Sequence, residues 1–128
     1  MKRPLFPLMV ILAMFLFPGC DEKNFSEAEF VGKTKNEILA VAFAKCERKF
    51  VTKKNQLVIV IVKPKGDLSG KIYANIEEAL ADQELAAASK WMVFYKFATL
   101  LSPKDYYFMV GFDGERSTTV ERGSQIPH

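Results

Sequence analysis

The sequence predicts an α+β fold, with two helices packed on a four- to five-stranded, mostly antiparallel sheet. Three observations carry that reading. After Thr34, the apolar residues Ile38, Leu39, Ala42, Phe43 and Cys46 recur at helical spacing. Residues 57–62, Leu-Val-Ile-Val-Ile-Val, form an unbroken apolar run rich in β-branched side chains, the mark of a strand. Residues 91–112 alternate large apolar side chains around turn signals, as a β-meander does.

The chain opens with Lys2 and Arg3, a mostly apolar stretch over residues 5–17, and then Pro18-Gly19-Cys20. A helix of that length is too short for the roughly 30 Å hydrocarbon core of a bilayer. Its size and flanks are those of a secretory signal. A cut before Cys20 puts Gly19 and Phe17 at the first and third positions upstream, and Phe17 is not the small residue ordinary signal peptidase requires. Residues 16–20, Leu-Phe-Pro-Gly-Cys, instead resemble a lipobox, in which the cysteine thiol takes a diacylglycerol. Gly19 and Cys20 match, Phe17 stands where Leu is usual, and Pro18 is atypical. The expectation is a signal peptide over 1–19 and lipidation, with palmitate, at Cys20. The alternative is an uncleaved signal anchor with an incidental cysteine. Two or three acyl chains give stable anchoring where one gives reversible binding. Asp21 resembles an inner-membrane retention signal, and the choice of membrane stays open.

Residues 21–29 read as a short acidic tether, leaving one domain over 30–122. The whole chain holds 18 basic and 15 acidic residues. Loss of Lys2 and Arg3 with the leader brings the net charge from +3 to +1. The charge is uneven: residues 33–71 hold ten basic and three acidic side chains, residues 72–128 five and eight. That asymmetry suits an anionic partner or surface, or simply a solvated helix end and turn. With Cys20 lipidated, Cys46 has no partner for an intramolecular disulfide, and its place on the apolar stripe predicts burial.

Thr34-Lys35-Asn36-Glu37 is a capping box, which starts a helix over 34–49 whose basic end suits the helix dipole. The strand at 57–62, apolar on both faces, is expected to be central, covered on each side or closely packed. A loop over 63–70 and a short strand at 71–74 follow. Asn75 and the acids Glu77 and Glu78 start a second helix, continued by the Ala/Leu/Glu-rich run to residue 88. Trp91, Val93, Tyr95 and Phe97 form one face of the next strand. Residues 102–105 turn the chain, and Tyr106, Phe108, Val110 and Phe112 form the following core set. Asp113-Gly114 reads as a type I′ hairpin turn. Residues 115–122 return as a polar edge strand, and 123–128 as a disordered tail.

Candidate chemistry is sparse. Gly32-Lys33-Thr34 resembles the end of a phosphate-binding loop, but that loop needs Gly where Glu27 stands. His128 is the only histidine and the last residue, which argues against His-based acid–base catalysis and against a His-rich metal site. Glu77-Glu78 and Asp113 with Glu115 sit where caps and turns already favour acids. The expectation is a non-enzyme with no catalytic residues, no metal and no cofactor. Lys45, Arg48, Lys49, Lys53 and Lys54 cluster where they could meet anionic lipid head groups, each worth about 1 kcal/mol near such a surface. Nucleic acid is not an expected partner, because an exported protein seldom meets it.

Residues 30–38, Phe-Val-Gly-Lys-Thr-Lys-Asn-Glu-Ile, follow the pattern hydrophobic-x-G-x-T-x-x-E/Q-V, and residues 110–114 read Val-Gly-Phe-Asp-Gly. Both stretches resemble the SmpA/OmlA (BamE-like) envelope lipoproteins. The resemblance implies a small lipid-anchored α/β domain that acts as an accessory subunit in outer-membrane protein assembly. The family's L-G-x-P after its first helix is replaced by Phe43-Ala44-Lys45-Cys46, and the second helix is additional. The expectation is a lipid-anchored cell-envelope lipoprotein facing the periplasm. It binds a protein partner through the edge strand 115–122 or the basic end of the first helix. The alternative is an inhibitor or immunity-type lipoprotein that blocks a toxin or hydrolase.

Overall fold

A computed structural model describes residues 26–126. The leader, Cys20, the first part of the tether and His128 lie outside the described residues. After a 3-10 turn at Glu27–Glu29 come α1 (Lys35–Lys45), β1 (Lys49–Val51), β2 (Lys54–Val62) and β3 (Leu68–Tyr73). Two short helices follow, α2 (Ile76–Ala81) and α3 (Gln83–Ala87), then β4 (Lys90–Lys96), β5 (Asp105–Asp113) and β6 (Arg116–Gln125). The fold is α+β, with six strands rather than four or five. Strand order is β1-β2-β4-β5-β6, with β3 also paired to β2 and every pairing antiparallel.

The capping box forms as the sequence requires. Thr34 Oγ1 accepts from the Glu37 amide at 3.2 Å, and Glu37 Oε1 accepts from the Thr34 amide at 2.8 Å. These bonds hold the Glu37 carboxyl below the usual carboxylate range, the backbone bond first. The helix stops at Lys45, four residues short of expectation, because the chain turns into a strand that the sequence does not announce. β1 pairs with β2 through a two-residue turn, Val51 opposite Lys54. Its central residues Thr52 and Lys53 have φ of 50° and 63°. Positive φ at both positions is the type I′ signature, normally written with Asn-Gly or Asp-Gly.

The second predicted helix is divided at Asp82, whose carboxylate accepts from the Glu84 and Leu85 amides and starts α3 afresh. β3 begins at Leu68, three residues before the expected short strand, and β6 runs to Gln125, into the segment expected to be a disordered tail. The β5–β6 turn also differs in register. Asp113 pairs with Arg116, so Gly114 and Glu115 are the central residues, and only Gly114 has positive φ. That is the type II′ pattern rather than I′.

One core joins helices and sheet. Ile38, Leu39 and Ala42 of α1 pack with Leu57, Ile59 and Ile61 of β2, Trp91 and Val93 of β4, and Phe108 and Val110 of β5. Ala79 and Leu85 bring α2 and α3 to the same side of the sheet. So β2 is covered by helices on one face only, and Val58, Val60 and Val62 on the other are half-buried. A bulge between Phe94 and Lys96 breaks the expected alternation. It takes Phe97 away from the Trp91 set and stacks it on Phe94, with ring centroids 6.2 Å apart.

The strained β1–β2 turn yields a first prediction. A non-glycine residue in the left-handed region costs roughly 1–2 kcal/mol, and Thr52 is β-branched besides. Replacing Thr52-Lys53 by Asn-Gly is expected to raise the Tm by several degrees in calorimetry. An unchanged or lower Tm would show that the turn is not strained.

Candidate membrane-facing end

The N-terminal segment is strapped to the sheet before α1 begins. Phe30 is fully buried and meets Phe108 edge-on at 5.1 Å. Gly32, at φ 76°, turns the backbone so that its amide donates to the Ser117 carbonyl at 3.2 Å. The Ser117 amide donates to Lys33 O at 3.0 Å, and the Ser117 hydroxyl donates to the Phe30 carbonyl. Thr34 bridges Arg116 in antiparallel sense. Further upstream, Glu27 pairs with Arg122 at 2.9 Å and Glu29 with Lys45 at 2.5 Å. Hydrogen bonds from its own backbone and from Arg122 hold the Glu27 carboxyl below its ordinary range. Exposed ion pairs of this kind contribute about 0–1 kcal/mol each. Burial of Phe30, worth roughly 1.5–3 kcal/mol, therefore does most of the fastening.

This strap fixes a direction. Residue 34 lies beside Arg116 at the start of β6, and Glu27 beside Arg122 near its end. Traced backwards, the chain therefore runs toward Gln125 and Asp105, which pair across β6 and β5. Because β2, β4 and β5 are successively antiparallel, the β1–β2 turn and the β4–β5 connection lie at that same end. The exit of α1 lies there too: the Glu47 amide donates to Tyr95 O at 3.0 Å, and Glu47 Oε2 accepts from the Phe97 amide at 2.8 Å.

The five basic residues singled out by the sequence converge here. Lys45 ends α1 and is paired to Glu29, and Arg48 lies 5.2 Å from the Phe43 ring. Lys49 lies 5.7 Å from the Phe97 ring, and Lys53 and Lys54 occupy the β1–β2 turn and the start of β2. Lys96, the last residue of β4, and Lys104, in the β4–β5 connection, join them. Lys49, Lys53, Lys54, Lys96 and Lys104 make no ion pair among the described residues.

The sequence reading missed the apolar part of this end. Leu100 and Leu101 are fully exposed, and Phe50 on β1 is 64% exposed. The leucines are the central pair of a closed turn: the Thr99 amide donates to Ser102 O at 2.7 Å, and the Ser102 amide to Thr99 Oγ1 at 3.1 Å. The Ala98 amide donates to the buried Asp105 carboxylate at 2.8 Å, fixing the base of the loop. Turns favour Gly, Pro, Asn, Asp and Ser for definite backbone reasons, and leucine at two adjacent tip positions satisfies none of them. That mismatch was the available signal.

The β3 side of the sheet carries a different arrangement. The Tyr73 hydroxyl donates to Asp82 Oδ2 at 2.7 Å, Lys71 bridges Glu84 at 2.5 Å and Asp82 at 3.5 Å, and Lys63 reaches Glu84 at 3.6 Å. The Tyr73 hydrogen bond, chiefly, holds the Asp82 carboxyl low. Asp82 is the cap of α3, so these groups already have structural work. Nearby, a cleft of about 30 Å³ bordered by Lys35, Leu39, Leu85 and Trp91 has room for about one water. Lys35 is itself buried, donating to the Ala86 carbonyl and lying 5.0 Å from the Phe112 ring. Cys46 is buried, and desolvation pushes its thiol up to about 12.

Among the described residues no group of His, Cys, Asp and Glu could hold a metal ion, and no helix is long and apolar enough to cross a membrane. No protein-family model, curated protein or solved structure matches the chain.

Proposed function

We propose that this chain is an envelope lipoprotein, anchored through an acylated Cys20, that acts as a non-enzymatic module holding a protein partner at the membrane surface. One observation carries the reading: the strap of residues 27–34 along β6 brings a compact domain to within six residues of the lipobox-like cysteine. A domain fastened that close to its anchor suits presentation of a surface rather than long-range reach. The surface offered is the outer edge of β6. It pairs with β5 on one side, and among the described residues only its first positions make backbone hydrogen bonds on the other, with Arg122 held by its side chain to Glu27. An open edge of this kind can accept an added strand from a partner. Thr119 and Glu121 keep it polar. The SmpA/OmlA-like entry to α1 supports the accessory role. An inhibitor of a toxin or lytic enzyme would use the same edge.

Radiolabelled palmitate should enter the wild-type chain and fail to enter Cys20→Ala. An unlabelled wild type rules out the anchor. A photoreactive side chain at Thr119 should give a discrete cross-linked adduct in intact membranes, whereas one at Lys65 should not. If both positions give the same adducts, the edge is not the binding surface. An assembly component as adduct supports the accessory reading, a secreted toxin or hydrolase the inhibitor.

A further inference from the structure

We propose that the end of the sheet carrying Leu100, Leu101 and Phe50 is a membrane-docking tip, which inserts these side chains into an anionic bilayer while the surrounding lysines meet its head groups. Four features of the fold converge on it. Two adjacent leucines are held fully outward by a hydrogen-bonded turn whose geometry does not call for them. The neighbouring hairpin places Lys53 at left-handed φ together with Thr52, so a second turn at this end also departs from turn chemistry. Strain of that kind concentrates where function requires a particular side chain. Lys49, Lys53, Lys54, Lys96 and Lys104 lie at the same end of the sheet without an ion pair among the described residues. By contrast, Lys63, just past β2, is paired to Glu84, and Lys71, within β3, to Glu84 and Asp82.

The fourth feature is the direction of the chain, and its force rests on the acylation reading. Ser26 leaves the domain toward this end. The six residues back to Cys20 reach about 20 Å at most. A domain anchored at Cys20 by a tether that leaves in this direction can therefore lay this end on the bilayer without strain. Apolar insertion and head-group contact would add to the acyl chains and fix which side of the domain faces the periplasm. Such a combination of apolar contact with basic residues is how peripheral proteins bind anionic membranes.

The test uses the full chain reconstituted in vesicles of phosphatidylcholine with about one-third phosphatidylglycerol, an anionic surface of the kind required. Leu101→Cys and Lys65→Cys are each labelled with an environment-sensitive fluorophore, Cys46 being buried, and a nitroxide-bearing lipid serves as quencher. The expected result is a blue-shifted, strongly quenched probe at 101 and a solvent-like, unquenched probe at 65. Equal quenching at the two positions, whether strong or absent, overturns the proposal. Lys53→Glu with Lys54→Glu should weaken the signal at 101 several-fold, as should raising the salt to 1 M, since both remove charge attraction. Quenching indifferent to both overturns the anionic part. For binding without the acyl anchor, the measurement is repeated with Cys20→Ser. Leu100→Ser should then lower vesicle partitioning on the order of tenfold, and an unchanged partition coefficient counts against insertion. Because palmitate labelling is scored separately, failure of the anchor and failure of the tip are distinguishable.

Discussion

Trp91→Ala is expected to remove about 3–5 kcal/mol of stability, the range for deleting a buried large aromatic side chain. Trp91 is fully buried at the start of β4, where β2, β5 and the two short helices meet. Its indole N–H donates to the Leu85 carbonyl at 3.0 Å, and its ring meets Phe112 at 4.6 Å. The side chain thus ties the sheet to α3, a helix of five residues that has little stability of its own. Domains of this size are stable by roughly 5–15 kcal/mol, so the variant should be near or past the point of unfolding at physiological temperature. Trp91→Phe separates the two contributions. The Leu85 carbonyl also accepts from the Ala88 amide at 3.3 Å, so loss of the indole does not orphan it. The expected cost is then about 1–2 kcal/mol, from one hydrogen bond and a smaller ring. Urea unfolding followed by circular dichroism measures both, since Trp91 is the only tryptophan and fluorescence is lost with it. A cost below 1 kcal/mol for the alanine variant would move the centre of the core elsewhere.

What could be read in the sequence is what local chemistry determines. Thr34 and Glu37 cap a helix within three residues of each other, and the stripe Ile38, Leu39, Ala42 follows from period alone. β2 is a strand by composition, yet which of its faces is covered depends on where the helices return, and one apolar run cannot tell. Asp82 inside an Ala-rich run is a helix starter in disguise: its carboxylate caps α3, which splits the expected single helix. β1 was missed because Thr52-Lys53 lacks the Asn or Gly that marks a tight hairpin. The basic cluster was visible as a count, but its position at one end, beside Leu100 and Leu101, comes from antiparallel topology. Lys96 and Lys104, far along the chain, join it only through that topology.

Alkali should unfold this protein earlier than the ordinary ionisation of exposed side chains does, with Cys46 a main cause. Burial lifts its thiol from an ordinary value of 9.0 to about 12. Between those values the unfolded chain has lost the proton that the native state still binds, so stability falls as pH rises. The contribution is fully present below pH 9.0 and is exhausted near 12, an interval worth on the order of 4 kcal/mol. Tyr73 acts in the same direction, first because it is desolvated and then because it donates to the Asp82 carboxylate. Cys46→Ala should therefore flatten the loss of Tm above pH 9 while costing some packing at neutral pH, and Tyr73→Phe should flatten it further. A Cys46→Ala profile parallel to that of the wild type across pH 9–11 would clear the thiol. The same burial predicts slow chemistry. At pH 8 the thiolate fraction is on the order of one in ten thousand, so in a Cys20→Ser background Cys46 should resist iodoacetamide until the fold is opened with urea. Rapid labelling of the folded protein would place Cys46 at the surface, and with it the end of α1 against which the proposed docking tip is built.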